Sequence, residues 1–307
     1  MANRDTFSGY HPIVNFLYFG FVLAFAMIFT HPVCLGLSFL CAFAYSVYLK
    51  GKKAVKFTLV YMLPMLIMAA LLNPAFNHEG GTILTYLPDG NPLTLESILY
   101  GVAAAAMLIT VITWFSCFNE VITSDKFVFL FGRVIPALSL ILAMALRFVP
   151  RFKTQIKVIS NAQKCVGRDA SDGNILQKAK HGIRILSIMV TWALENAIET
   201  ADSMKSRGYG LPGRTAFSIY RFDKRDARAL VFILACVSYI IAGHYTGGLY
   251  FRYFPTIKGL WETPYAVSIF AVYFALCAAP LFLNIKEELR WKSIASQTAT
   301  GREGGYA

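Results

Sequence analysis

An arginine closes a long helical pattern at Ala201-Asp-Ser-Met-Lys-Ser-Arg207-Gly208-Tyr209-Gly210. Its guanidinium is a planar fork of five N–H donors, suited to a carboxylate or to backbone carbonyls on a partner. Gly208 can take the left-handed conformation that ends a helix with its last carbonyls satisfied. Lys205 and Arg207 in the last turn complement the negative end of the helix dipole. The chemistry on offer is recognition rather than bond breaking. The other reactive side chains do not assemble into a catalytic set. The histidines His11, His31, His78, His181 and His244 are scattered. No glycine-rich phosphate loop of the P-loop type is present. The six cysteines lie mostly in apolar runs and form no CxxC pair. They read as buried free thiols, not as disulfides or metal ligands. The sequence therefore predicts no catalytic residue, no metal site and no cofactor bound by the chain itself.

The elements that carry this arginine belong to a membrane protein. The chain has 307 residues, 56% of them hydrophobic and 15% charged. That is too apolar for ordinary soluble domains and points to a polytopic membrane protein. A spanning helix needs about 20 mostly apolar residues. Six runs without Asp, Glu, Lys or Arg come near that length: Ile13–Thr30, Val33–Tyr48, Phe57–Leu72, Ser97–Phe118, Leu230–Ala242 and Tyr265–Leu283. The fifth is short unless flanking residues join it. Pro64 in the third is a tolerated kink. The first run flows through Thr-His-Pro into the second and is not a cleavable signal peptide. The expected fold is all-α. It has about six spanning helices, a membrane-embedded helix that does not cross and two long cytoplasmic helices. Three regions follow: residues 1–126 with four membrane helices, 127–228 with the embedded and cytoplasmic helices, and 229–307 with two membrane helices and a basic tail.

Loop charge orients the chain. Lys50, Lys52, Lys53 and Lys56 mark the loop between the second and third runs as cytoplasmic. The loop Asn73–Pro92 has Glu79 and Asp89 but no lysine or arginine, so it reads as external. Residues 150–228 hold 15 lysines and arginines against seven acids, most of the net charge of +12. This segment is expected in the cytoplasm, as are both termini. Phe127–Val149 breaks the parity of crossings and carries Arg133, Pro136 and Arg147. It reads as an embedded or interfacial helix, the alternative being a seventh span with an eighth elsewhere.

Two amphipathic helices are expected within 150–228. One runs from about Pro150 to Cys165, with Lys153, Lys157 and Lys164 on one face. Gly167 then stops it. The other runs from about Asn174 to Ser206, roughly 50 Å at 1.5 Å per residue. Leu186, Met189, Val190, Ala193, Ala197, Ala201 and Met204 make its apolar face. Ala193, Ala197 and Ala201 recur every fourth residue, where another helix can approach closely. Glu195, Glu199 and Asp202 form a separate acidic stripe. That stripe either faces the lysines of the first helix or is simply solvated.

The residues Glu195–Gly210, followed by Arg214-Thr215 and Phe217-Ser218-Ile-Tyr220-Arg-Phe-Asp223, closely resemble the transmembrane T component (EcfT, CbiQ-like) of energy-coupling factor transporters. Leu146-Arg-Phe-Val-Pro-Arg-Phe152, Ala162-Gln163 and the opening His11-Pro12…Asn15-Phe16 are similar to that family too. The resemblance covers nearly the whole chain. It implies a subunit between a small membrane substrate-binding S component and two cytoplasmic ABC-type ATPases, in the plasma membrane of a prokaryote. ATP and Mg would be bound by those ATPases. It also implies that each cytoplasmic helix ends in an X-Arg-Gly motif that docks on one ATPase. Ser206-Arg207-Gly208 matches the second motif. The first falls at Cys165-Val166-Gly167, where valine holds the arginine position and Arg168 stands one residue beyond the glycine. The implied cargo is a vitamin or a transition-metal ion.

Three rival classes are open to the same composition. A membrane enzyme would need a nucleophile with a base, paired carboxylates or a His/Cys cluster, and none is legible. A permease subunit of a conventional ABC importer is the alternative reading. It too docks helices on ATPases, but through a different motif and with a polar cavity. Nucleic-acid binding is disfavoured, because the basic residues alternate with acids and flank a membrane, where positive loops are expected.

Overall fold

The computed structural model describes residues 5–86, 92–132, 135–167, 174–211, 220–259 and 264–303. The expected all-α multi-pass architecture is present. In chain order the helices are α1 (Pro12–Ile28), α2 (Pro32–Lys50), α3 (Lys52–Phe57) and, after a π turn over Thr58–Met62, α4 (Leu63–Phe76). A small hairpin, β1 (Ile83–Tyr86) and β2 (Pro92–Thr94), precedes α5 (Leu95–Val121). Then come α6 (Ser124–Gly132), α7 (Pro136–Cys165), α8 (Ile175–Ser206), α9 (Lys224–Tyr245) and α10 (Pro264–Glu303). Five segments are long and apolar enough to cross a bilayer: Pro32–Lys50, Lys52–Phe76, Leu95–Val121, Lys224–Tyr245 and Pro264–Ile294. Helix α1, at 17 residues, sits at the lower limit of spanning length.

The chain divides into two compact units, 1–123 with 220–307, and 124–219. The two flanking regions read separately from the sequence thus share one core, and the boundaries fall three residues before the expected 126/127 and nine before 228/229. That core joins α1, α2, α5, α9 and α10 through Tyr18, Phe19, Tyr45, Trp114, Ile240, Ile269, Tyr273 and Leu276. Two of its polar side chains find partners inside the core, as buried polar groups need where water is scarce. The Trp114 indole N–H donates to the Ser38 hydroxyl at 3.0 Å, and the Tyr18 hydroxyl donates to the Cys277 carbonyl at 3.1 Å. Helix α4 leans on α5 where Gly101 leaves room, since a Cβ there would stand 2.8 Å from the Ala70 carbonyl oxygen. The π turn ends two residues before Pro64. A widened turn accommodates a ring that would otherwise clash with a carbonyl one turn back.

Several boundaries differ from the sequence reading, each for a local reason. The third span is preceded by the short helix α3 and runs on past Asn73 and Pro74 to Phe76. The fifth extends to 22 residues because residues 224–229 join it at one end and residues 243–245 at the other. Segment 127–149 is not one helix: α6 ends at Gly132, and α7 begins at Pro136, a residue well suited to the first helical position. The expected helix Pro150–Cys165 is the second half of α7, which passes through Pro150 without ending. The hairpin within 83–94 was not anticipated.

One end of the first unit gathers polar groups from four elements. Asp5 accepts from the Tyr45 hydroxyl at 2.9 Å and from the Asn284 side-chain amide, whose oxygen takes the Thr6 N–H at 2.7 Å. Lys50 donates to the Ser116 hydroxyl at 2.7 Å and lies 3.9 Å from a Glu120 carboxylate oxygen. Asp226, only 2% exposed, accepts the backbone N–H of His11 at 3.1 Å and that of Asp223 at 3.1 Å. Arg225 donates to the Gly9 carbonyl at 3.0 Å and sits 4.4 Å above the Tyr10 ring.

Candidate functional site: two glycine-capped helix ends

Helix α8 is framed by strong local signals. Asn174 caps its start: its side-chain oxygen accepts the Ile175 N–H at 2.8 Å, and the Gln177 side chain returns the bond to the Asn174 N–H. This reciprocal arrangement fixes the first turn. At the far end Arg207 has φ −84° and ψ 10°, and Gly208 has φ +79°. The Gly208 N–H bonds the Lys205 carbonyl at 3.0 Å and the Tyr209 N–H bonds the Met204 carbonyl at 3.0 Å. These are the two bonds of a Schellman cap, which only a residue tolerant of positive φ supports. Arg207 is exposed at the tip, beside exposed Tyr209 and Leu211.

Helix α7 ends the same way. Val166 has φ −93° and ψ 12°, Gly167 has φ +72°, and the Gly167 N–H bonds the Lys164 carbonyl at 2.9 Å. Val166 therefore occupies the position on α7 that Arg207 occupies on α8. Its side chain is 63% exposed. Cys165 is the one exposed thiol among the six cysteines, while the other five are buried. Arg168 lies outside the described residues, as do Arg133 and the stretch Arg214–Ser218 that carries part of the family resemblance.

The two helices cross at aromatic and aliphatic side chains. Phe152 and Trp192 meet edge to face with centroids 5.7 Å apart, and the Arg151 guanidinium lies 5.4 Å from the Trp192 centroid. Such aromatic and cation–π contacts are worth about 0.5–1.5 kcal/mol each. Ile159 on α7 and Met189 on α8 are the buried members. The face of α8 turned inward is thus Ile185, Met189, Trp192, Ala193, Asn196, Thr200 and Met204. The expected apolar face is rotated: Met189, Ala193 and Met204 belong to the covered side, whereas Leu186, Val190, Ala197 and Ala201 are exposed. With Ile183 and Leu194, also exposed, they form a second apolar stripe that the chain leaves uncovered. Trp192, not singled out from the sequence, is the anchor of the crossing; its position opposite Phe152 carries no sequence signal of its own.

Two lysines of the basic stripe stand apart from the acidic one. Lys153 and Lys157 are exposed, as are Glu195, Glu199 and Asp202. Among the described residues neither lysine forms an ion pair with any of the three acids. The Lys157–Glu199 pairing considered from the sequence is absent from the crossing, and solvation of exposed charges offsets most of what such a pair gains. Among the described residues no group of three or more His, Cys, Asp or Glu side chains is placed to hold a metal ion. What the site presents is a pair of matched rigid tips: one carries a guanidinium fork, the other a bare valine.

The comparisons with known proteins fit this arrangement. Residues 11–217 match the family described as CbiQ, cobalt transport protein. The chain is 34% identical over 105 residues to the energy-coupling factor transporter transmembrane protein EcfT of Lactobacillus helveticus, covering 34% of this chain and 38% of that one. It is 38% identical over 98 residues to the protein of the same name from Lactococcus lactis subsp. cremoris, covering 32% and 37%. With that of Streptococcus thermophilus it shares 37% identity over 99 residues, covering 32% and 38%. Each of these matches spans less than two fifths of the relative's length. The family match runs from the residue that opens α1 to beyond the Arg207-Gly208 tip, more than half of the chain, and the chain belongs to the CbiQ family, the EcfT/CbiQ-like transmembrane T components.

Proposed function

We propose that this chain is the transmembrane coupling subunit of an ATP-driven importer of the energy-coupling factor type. It catalyses no reaction of its own. Two partner ATPases bind ATP and Mg, and a small membrane S component binds the cargo. The observation that carries the reading is the pair of glycine-capped tips on α7 and α8, at Val166-Gly167 and Arg207-Gly208. Each tip is rigid because its last carbonyls are satisfied by the cap, so a push on the tip moves the helix rather than fraying it. Helix α8, 32 residues long, is a lever of about 48 Å. Rigid-body movement of such elements is an ordinary way to carry a domain motion across a protein. The uncovered stripe Ile183, Leu186, Val190, Leu194, Ala197 and Ala201 is a surface for a second apolar partner, here the S component or lipid.

The grouping of polar side chains in the first unit is consistent with the expected orientation. Lys50 and Glu120 end α2 and α5, Asp226 begins α9 and Asp5 precedes α1, and these groups cluster at one end. Lys52, Lys53 and Lys56 follow Lys50 directly, which supports a cytoplasmic placement of this end by the charge rule. The chain leaves the unit after Thr123 and re-enters at Tyr220 beside this end, so residues 124–219 would begin and end in the cytoplasm. The cargo is a micronutrient, a transition-metal ion such as cobalt or a vitamin, and the choice lies with the S component.

Charge reversal at the better-matched tip tests the proposal. Arg207→Glu is exposed and caps the same helix, so the chain should fold and insert. Purified with its partners, it should lose ATPase subunits and substrate-coupled ATP hydrolysis. Full assembly and unimpaired uptake by the variant would overturn the proposed role, and so would robust ATP hydrolysis by the chain alone.

A further inference from the structure

Two helical segments of the first unit begin with the same arrangement of side chains. The continuous segment Lys52–Phe76 opens with Lys52-Lys53, adds Lys56, and reaches Leu59 and Val60. Helix α9 opens with Lys224-Arg225, adds Arg228, and reaches Val231 and Phe232. Each is a dibasic pair, a third cation four residues after the first, and two apolar residues seven and eight after it. All of these side chains are exposed. Residues three and four apart share one face of a helix, so Lys224 and Arg228 stand in line with Val231. The opposite face of α9 holds the buried Asp226, Ile233, Val237 and Ile240. Arg228 thus lies on the outward side, about 4.5 Å along the axis from the first exposed apolar residue of the span.

The fold does not use these charges. Among the described residues Lys52, Lys53, Lys56, Lys224 and Arg228 form no ion pair. Residues 51–78 contain no Asp or Glu. On α9 the nearest acids serve the backbone: Asp223 is the N-cap, and the buried Asp226 accepts the N–H groups of His11 and Asp223. Arg225 is held by the Gly9 carbonyl and the Tyr10 ring. Arg228 donates through Nε to the Lys224 carbonyl at 3.4 Å, a contact within its own helix. Cations in a first turn also oppose the positive end of the helix dipole, so the helices gain nothing from them. Orienting a chain requires positive residues near the ends of its spans, but it does not require them on the face that meets lipid.

We infer that these two cationic entries bind the headgroups of anionic phospholipids, whose acyl chains run along the apolar residues of the same face. The alignment selects a lipid: the cations prolong a surface that acyl chains already cover. Lysine and arginine stems lie along apolar surface while their charges stay in the headgroup layer. A phosphodiester at either entry meets two or three cations, each charge-assisted as a donor. This binding goes beyond the coupling function proposed above and does not depend on it.

The test uses the full chain purified in a neutral detergent. Added phosphatidylglycerol should raise its unfolding midpoint above that in phosphatidylcholine of the same acyl chains by at least about 2–4 °C. Salt at about 0.5 M should remove most of that difference by screening. Equal responses to the two lipids would overturn the inference. Inorganic phosphate at the same concentration should give no rise; a rise as large as that from phosphatidylglycerol would make these sites for free anions and overturn the assignment to lipid. The combined variant Lys52→Gln, Lys53→Gln, Lys56→Gln, Lys224→Gln and Arg228→Gln should lose the response. Arg252→Gln with Lys258→Gln, in the loop that follows the other end of α9, should keep it. A full response in the first variant, or equal loss in both, would refute the sites. So would a first variant that keeps its lipid response but releases a protein subunit from the purified complex. Native mass spectrometry of the unaltered chain frees the test from the folding of any variant. Anionic lipid should be retained over zwitterionic lipid by at least about fivefold relative to the source membrane, and retention in the proportions of that membrane would overturn the inference.

Discussion

Asp226→Ala should unfasten α1 from α9. Asp226 is 2% exposed and accepts two backbone N–H groups, from His11 at 3.1 Å and from Asp223 at 3.1 Å. The first bond joins residues 215 positions apart and pins the start of α1 to the start of α9. Removing the carboxylate leaves the buried His11 donor without its charged acceptor, a loss of about 1.5–3 kcal/mol. The Asp223 N–H at the helix start loses its reciprocal cap, about 0.5–1 kcal/mol. The sum is about 2–4 kcal/mol. For a chain of this size 1 kcal/mol moves the midpoint by about 2–4 °C, so a fall of roughly 5–15 °C is expected. Thermal unfolding of the purified chain in detergent, followed by tryptophan fluorescence, reads it. Asp226→Asn separates the causes, because the amide keeps one acceptor oxygen; it should lose about half as much. An Asp226→Ala midpoint within 1 °C of the unaltered chain would refute the argument. An Asp226→Asn variant as unstable as the alanine would show that charge, not the supply of acceptors, holds the joint.

Two glycines on or beside α8 should respond with opposite sign to the same change. Gly208→Ala places a Cβ at φ +79° and 3.1 Å from a Leu211 methyl, and should cost about 1 kcal/mol or more; Gly182→Ala meets nothing within 4 Å in the helix interior and should gain about 0.5–1 kcal/mol. Hydrogen exchange of the α8 amides reads both, and equal effects would contradict the cap geometry. Gly101→Leu should part α4 from α5, since even a Cβ would lie 2.8 Å from the Ala70 oxygen; an unchanged rate of cross-linking between the two helices would refute that contact. Burial, with a smaller contribution from Tyr100, pushes the phenol of Tyr253 up to about 12. Its neutral form donates to the Thr30 carbonyl at 2.9 Å, so the contribution is full below about pH 10 and fades as pH rises toward 12. Tyr253→Phe should be less stable at pH 8, and the gap should close between pH 10 and 12. Trp192→Ala should loosen the α7–α8 crossing, raising protease sensitivity within 136–206; an unchanged digestion pattern would remove Trp192 from the role of anchor.

Much of the membrane architecture is local chemistry and was therefore legible in the sequence. Charge-free runs of spanning length can only be stable inside a bilayer or a large core, and the five long spans coincide with such runs. The two tips were equally legible, because Gly167 and Gly208 supply a conformation that few other residues tolerate, and Asn174 with Gln177 declares where α8 begins. The departure at Val166 is likewise a fact of sequence. What required the folded chain is everything set by which surface meets which. Periodicity gave α8 one apolar face centred on its alanines; the structure turns Met189 and Trp192 toward α7, and leaves Ala197 and Ala201 open, because large side chains fill the crossing better. Pro150 reads as a boundary, yet α7 passes through it and unites two segments of different character. Asp226 reads as an ordinary residue near a helix start, and its partner His11 stands 215 residues away. Above all, only the tertiary structure shows that Val166 and Arg207 leave their helices from the same backbone geometry. Composition can declare that the two tips differ, but equal torsions at the caps make that difference a matter of one side chain in one shape of site.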